Sequence, residues 1–246
     1  MNIKENDYQW QFFIFVLATA EELKINNNLE SQAAALFKSW FIDYEPFDVD
    51  ETGKPVGWTE KSLSQLLKTT TSSINPQRIK TEGVWHYSIP AYDAERLPTF
   101  DNPNNILSNK YLVPSDAILV SKLNPDTKRI WIASKCFENA ICSTEFIIYI
   151  PNNPMHRDFY YLLFNTWEFI DFLVSNATGS TNSRIRVKPS STLDFNIFMP
   201  SNDIVLDVFC KIVHPLLETI EKNLVEIRSL NNLMPIAVAK MMSSSR

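Results

Sequence analysis

The sequence predicts an α+β protein: one globular α/β domain flanked by two long helices packed together as an antiparallel hairpin or coiled coil. Three observations carry this class. Apolar residues recur every three or four positions at both ends of the 246-residue chain, and short β-branched and aromatic runs bounded by turn residues fill the middle. Gly53, Pro55 and Gly57 mark a polar linker between the first helix and the middle block. The expected division is 1–45 for the N-terminal helix, 46–57 for the linker, 58–200 for the globular domain and 201–246 for the C-terminal helix.

Each element has its own signal. Over residues 8–44, Trp10, Phe13 and Leu17, then Leu29, Ala33, Leu36, Trp40 and Tyr44, share one helical face. Asn26, Asn27 and Asn28 are weak helix formers, so one long helix and two joined helices both fit; Pro46 ends the element. A short helix is expected over 59–68, with Thr59 as its cap. Residues 69–109, rich in Thr, Ser, Asn and Pro, read as loop and short strand. Strands are expected at 117–121, 129–134 and 146–150. Asn153 and Pro154 open a helix to about residue 174, and 184–188 and 195–199 read as closing strands. After Pro200, Val205, Val208, Phe209 and Ile212 begin a second striped helix that continues through Leu216, Ile220, Leu224, Ile227, Leu230 and Met234. Pro215 is a site for a kink, and residues 202–232 would span about 45 Å as one helix.

Composition excludes several classes. A 45% hydrophobic content and 21% charged residues fit a chain with a substantial buried core. Cys136, Cys142 and Cys210 suit neither a disulfide framework nor paired zinc knuckles, and read as reduced thiols in a cytoplasmic protein. The apolar run 12–18 lacks the basic flank of a secretion signal and is too short to span a bilayer, so no membrane association is expected. Four glycines, at 53, 57, 83 and 179, form no dinucleotide or phosphate loop. His86, His156 and His214 lack metal spacing, and no second carboxylate joins Asp126 and Lys128 in a nuclease-like pair. No catalytic residue, metal or cofactor is expected.

The net charge of −5 is unevenly spread. Residues 1–57 carry four basic and ten acidic groups, whereas 58–200 carry 14 and 13. Within that near-neutral block lie two cationic strips. Lys122, Lys128 and Arg129 flank a turn at Asn124-Pro125, which suits phosphate contact; an ordinary hairpin with charged flanks is the plainer account. In the second strip, Gly179, Ser180 and Thr181 lead into Arg184, Arg186 and Lys188, which would point one way on alternate positions of a strand. Hydroxyls and a glycine permit close approach to a phosphate, while Arg, Lys and Asn are the side chains that read base edges. A solvated strand face next to a polar turn is the competing account.

The segment Leu36-Phe37-Lys38-Ser39-Trp40-Phe41-Ile42-Asp43-Tyr44 with Pro46, then Gly57-Trp58, Asp116-Ala117-Ile118-Leu119-Val120-Ser121-Lys122, Ala177-Thr178-Gly179-Ser180 with Arg184-Ile185, and the proline-led terminal helix follow one another along the chain. In this order they resemble a specificity subunit of a Type I restriction-modification system, in a half-length form with a single target recognition domain. The resemblance implies a non-catalytic reader of double-stranded DNA that directs an adenine methyltransferase and an ATP-dependent nuclease to a split target site. It further implies docking of methyltransferase subunits on the helices, assigned to Leu36, Trp40, Phe41, Ile220, Leu224 and Ile227, and a restriction subunit joining the complex. Such a chain reads half a site unless two copies pair as a homodimer. The competing class is a helical protein-interaction scaffold without DNA contact, which the acidic N-terminal arm suits.

Overall fold

The computed structural model of the chain describes residues 3–134, 137–179 and 185–244. The first helix, α1 (Ile3–Phe41), runs unbroken through the three asparagines. Local bonds help carry it across: the Ser31 hydroxyl donates to the Asn27 carbonyl at 2.8 Å and Gln32 to Asn28 at 3.2 Å. Its buried positions are Asn26, Ala33, Phe37 and Phe41, a face rotated by one residue from the expected Leu36–Trp40 line. Trp10, Phe13 and Leu17, expected to share one helical face, are exposed.

The helix expected over 59–68 is replaced by β1 (Trp58–Ser62), α2 (Leu63–Leu66) and β2 (Leu67–Thr70). Pairing overrides local propensity here, because Trp58 lies opposite Pro200 and Ser62 opposite Asn196 in an antiparallel ladder. The short helix starts at Ser62, whose N–H donates to the Gln65 side chain at 3.0 Å. The loop-like stretch that follows holds β3 (Ser73–Ile74), β4 (Val84–Tyr87), α3 (Ile89–Glu95), β5 (Thr99–Asp101) and β6 (Lys110–Leu112). The signal for α3 was present in the chain: the Ser88 hydroxyl caps the Ala91 N–H at 3.2 Å and Pro90 sits in the first turn.

The strands β7 (Ile118–Ser121), β8 (Ile130–Ile132), β9 (Ile141–Cys142) and β10 (Phe146–Pro151) complete two sheets. One has the antiparallel order β2-β10-β7-β8; the other has the order β3-β6-β9-β4-β5, with β4 and β9 parallel. Strand β7 is buried at every position, and β10 at all but one, as sheet covered on both faces requires. Tyr87 of β4 and Trp131 of β8 meet at 4.9 Å between ring centroids, tying the two sheets together.

The single helix expected over 153–174 is two: α4 (Arg157–Phe164) and α5 (Trp167–Ser175). Thr166 separates them, because its extended backbone and its hydroxyl, accepting from the Phe169 N–H at 3.3 Å, start a new helix. Then come β11 (Ala177–Thr178), β12 (Arg186–Val187), α6 (Pro189–Thr192), β13 (Asn196–Pro200) and α7 (Ile204–Ser244), which is helical through Pro215. Its buried line is Leu206, Phe209, Cys210, Val213, Leu217, Ile220 and Ile227; Val208 and Ile212 face solvent instead.

The chain divides into two compact units, one from Met1–Ala34 with His214–Arg246 and the other from Ala35–Val213. Within the first, Asn26 is buried, and its side chain donates to the Ile220 carbonyl at 3.4 Å and accepts from Asn223 at 2.8 Å. Within the second, the last turns of α1 and the first of α7 join an aromatic junction. Phe41 lies 4.8 Å from both Phe159 and Phe209 and 5.7 Å from Trp58. The two edge-on pairs, Phe41 with Phe159 and with Phe209, add about 0.5–1.5 kcal/mol each to what burial supplies.

Candidate functional site

The first cationic strip and the described end of the second, Ile185–Val187, meet in one ledge at the end of β7. Lys122 is held on both sides, its N–H donating to the Glu145 carbonyl at 2.9 Å and its carbonyl accepting from the Val187 N–H at 3.1 Å. Leu123 bridges to Arg186, and the Asn124 N–H reaches the Ile185 carbonyl at 3.0 Å. Asn124 adopts φ 47°, a left-handed conformation that asparagine tolerates, and its carbonyl accepts the Thr127 N–H at 3.0 Å to close the turn. The Asn124 Oδ1 atom is buried without a hydrogen-bond partner among the described residues.

Much of the ledge's charge is already engaged. Arg186 makes a two-pronged ion pair with Glu145, at 2.9 and 3.1 Å, which raises its pKa. Arg129 does the same with Asp93, at 2.6 and 3.0 Å. Lys128 donates to the Asn165 carbonyl at 2.9 Å and sits 3.9 Å above the Trp167 ring; burial lowers its pKa, against the opposing pull of Glu168 and Asp171. Half-buried Lys122 and exposed Lys188 carry no ion pair among the described residues. Their charge remains available to an anion.

The expected strand over 184–188 is shorter than its pattern. Arg186 and Val187 pair with Thr178 and Ala177, but Lys188 already stands at the start of α6, so Arg186 and Lys188 do not share one strand face. Arg186 also has the acidic neighbour that local sequence lacked, contributed by Glu145. Gly179 is exposed; Ser180, Thr181 and Arg184 lie outside the described residues. Glu145, Asp93, Asn165 and Trp167 were missed by sequence reasoning, since each acts across a fold-dependent distance that no spacing encodes.

Of the residues assigned to partner docking, Phe41, Ile220 and Ile227 are buried within the chain itself, while Leu36, Trp40 and Leu224 are half-buried. Trp40 also packs within the chain, 5.5 Å from Phe209. Among the described residues no three His, Cys, Asp or Glu side chains are grouped to hold a metal, and no helix is long and apolar enough to cross a membrane. Cys142 and Cys210 are free and buried, and burial pushes both thiols up to about 12.

No family model matches the chain. A 63-residue stretch is 46% identical to the MjaIX Type I restriction enzyme specificity subunit of Methanocaldococcus jannaschii, covering 22% of this chain and 15% of that protein. The Type I restriction-modification S subunit from M. genitalium superposes with a TM-score of 0.62 at 15% identity, over 98% of this chain and 61% of that one. A chain from a structure addressing complex assembly and conformational transition of the Type I system gives 0.52 at 18% identity, over 78% of this chain and 49% of the other. The chain thus spans less than two thirds of each of these relatives, and it carries the specificity-subunit fold.

Proposed function

From its kinship with the specificity subunits of Type I restriction-modification systems, we propose that this chain reads a DNA sequence on behalf of separate enzyme subunits and performs no chemistry itself. The observation that carries this reading is the ledge: two loops far apart in sequence are stitched together, the Lys122–Asn124 backbone lying against that of Ile185–Val187, in a chain with the specificity-subunit fold. Lys122, Lys188 and the stretch holding Gly179, Ser180 and Thr181 supply phosphate contact, Asn124 and Arg184 supply base contact, and Lys128 and Arg129 support the turn.

The globular domain of 58–200 acts as the target recognition domain. The flanking helices pair as an antiparallel hairpin, supported by the Phe41–Phe209 contact at one level and the Asn26–Asn223 bond at another. The exposed apolar residues Trp10, Phe13, Ile14 and Leu17 favour docking of a methyltransferase subunit or a second copy, and a restriction subunit completes the assembly. The test is salt-dependent retention on duplex DNA of the chain assembled with its methyltransferase. Charge reversal at Lys122 and Lys188 should weaken retention while folding is preserved; unchanged retention would reject this site. The scaffold alternative predicts no retention by any version.

A further inference from the structure

A groove of about 580 Å³ opens on the five-stranded sheet, lined by His86, Phe100, Asp101, Asn102, Asn105 and Lys110 together with Ile106, Leu107 and Ser108. That volume is enough for a nucleotide-sized group. Lys110 is the unusual member. It is only 8% exposed, and its ammonium group is held by neutral oxygens, Ser108 Oγ at 2.6 Å and the Ser108 carbonyl at 3.2 Å. No carboxylate pairs with it among the described residues. Cys142 interacts with it electrostatically, but the burial that lifts that thiol to about 12 leaves it neutral. Asp101, which also lines the groove, is engaged by His86 Nδ1 at 2.8 Å and by the Thr99 hydroxyl at 3.1 Å. A cation withdrawn from water without a counter-charge is costly, and an incoming anion would relieve that cost.

The rest of the groove fits the same ligand. The Asn102 Oδ1 is spent on the Asn104 N–H at 2.9 Å, which leaves its Nδ2 as a donor. His86 Nε2 is buried and lacks a partner among the described residues; with Nδ1–H given to Asp101 and burial lowering the ring's pKa, it is an acceptor that suits a protonated phosphate oxygen or a ligand hydroxyl. Phe100 is 57% exposed yet fixed, because its ring packs tilted at 5.1 Å from Trp85 and lies so close over Gly83 that a Cβ there would fall 2.4 Å from it. Leu107 is 86% exposed on the same rim.

We propose that this groove is a phosphate subsite in which Lys110 makes the charge contact, with the Ser108 hydroxyl orienting it and Phe100 and Leu107 forming its apolar rim. The phosphate belongs either to the DNA backbone, a source that rests on the DNA-reading function proposed above, or to a free phosphate compound. The full chain and its Lys110→Gln, Lys110→Arg, Ser108→Ala and Lys80→Gln variants separate the sources. Each is titrated with inorganic phosphate, followed by the amide NMR shifts of residues 100–110, and with a labelled duplex in phosphate-free buffer. Lys110→Gln should weaken phosphate binding about tenfold or more, as loss of a charge-assisted bond does, and Lys110→Arg should restore it. Ser108→Ala, at an exposed position, should give a smaller loss without risk to the fold, and exposed Lys80→Gln should change nothing. If DNA affinity falls in parallel and the salt slope drops by about one, the source is the backbone. A Lys110-dependent loss for inorganic phosphate alone assigns the site to a free compound, and it stands even if the chain retains no DNA. Equal binding by the folded wild type, Lys110→Gln and Ser108→Ala in both titrations overturns the proposal.

Discussion

Around Phe41, rings from α1, β1, α4 and α7 close on one another at 4.8–5.7 Å, whereas along the ledge at Lys122 the side chains are long, cationic and only partly engaged. The first region spends its residues on itself. Phe41, Phe159 and Phe209 are each at most 6% exposed, so their contribution is apolar burial of about 1.5–3 kcal/mol apiece, insensitive to salt. The second divides its charge: Arg129 and Arg186 are matched to carboxylates inside the chain, and Lys122 and Lys188 are not. An ion pair holds a loop in shape but cancels the field that draws a phosphate. On the function proposed above, Arg129 and Arg186 serve as framework and Lys122 and Lys188 are left for contact, so stability and affinity should respond to different substitutions.

The largest expected effect tests the first half of that contrast. Phe41→Ala should lower unfolding free energy by about 3–5 kcal/mol in a denaturant titration, equally at low and high salt, with the residual fold binding DNA as before. A loss of DNA affinity larger than the loss of folded protein would join the two regions and break the distinction. Lys122→Glu combined with Lys188→Glu should do the reverse. Duplex affinity should fall about 10–100-fold near 0.1 M salt with a shallower salt slope, and the unfolding midpoint should stay unchanged. Asp93→Asn sharpens the comparison from the other side, since it releases Arg129; a gain in affinity of about threefold places that guanidinium at the contact, and no gain confines it to the framework. The smallest effect is expected for Trp167→Ala. Trp167 is 68% exposed, so removing the ring beneath Lys128 should cost only about 0.5 kcal/mol in the same titration.

What local sequence carried, and what it did not, follows from the range of the interactions. The terminal helices announced themselves because apolar spacing of three and four residues is a property of the chain alone, and β7 and β10 did so through continuous Ile, Leu, Val and Tyr runs. Phase was harder: the buried line of α1 passes through Phe37 and Phe41 beside the expected Leu36 and Trp40, because adjacent apolar residues leave the face open until packing selects it. Strand β1 looked helical because its partner, β13, lies at the far end of the domain. The ledge was legible as two cation-rich loops, yet their meeting through Asn124 and Ile185, and the capture of Arg186 by Glu145, depend on the β7–β10 pairing that sets Phe146 against Ser121. Lys110 and His86 drew no attention as a pair because they come together only through the nonlocal order of the five-stranded sheet.

The most direct test of the central proposal is to map methylated adenines in DNA exposed to the cognate methyltransferase, with and without this chain. If the chain supplies the specificity, a sequence motif is modified in its presence and vanishes when it is omitted, and Lys122→Glu with Lys188→Glu diminishes it. The same motif appearing without the chain, or no motif in either reaction, would contradict the account.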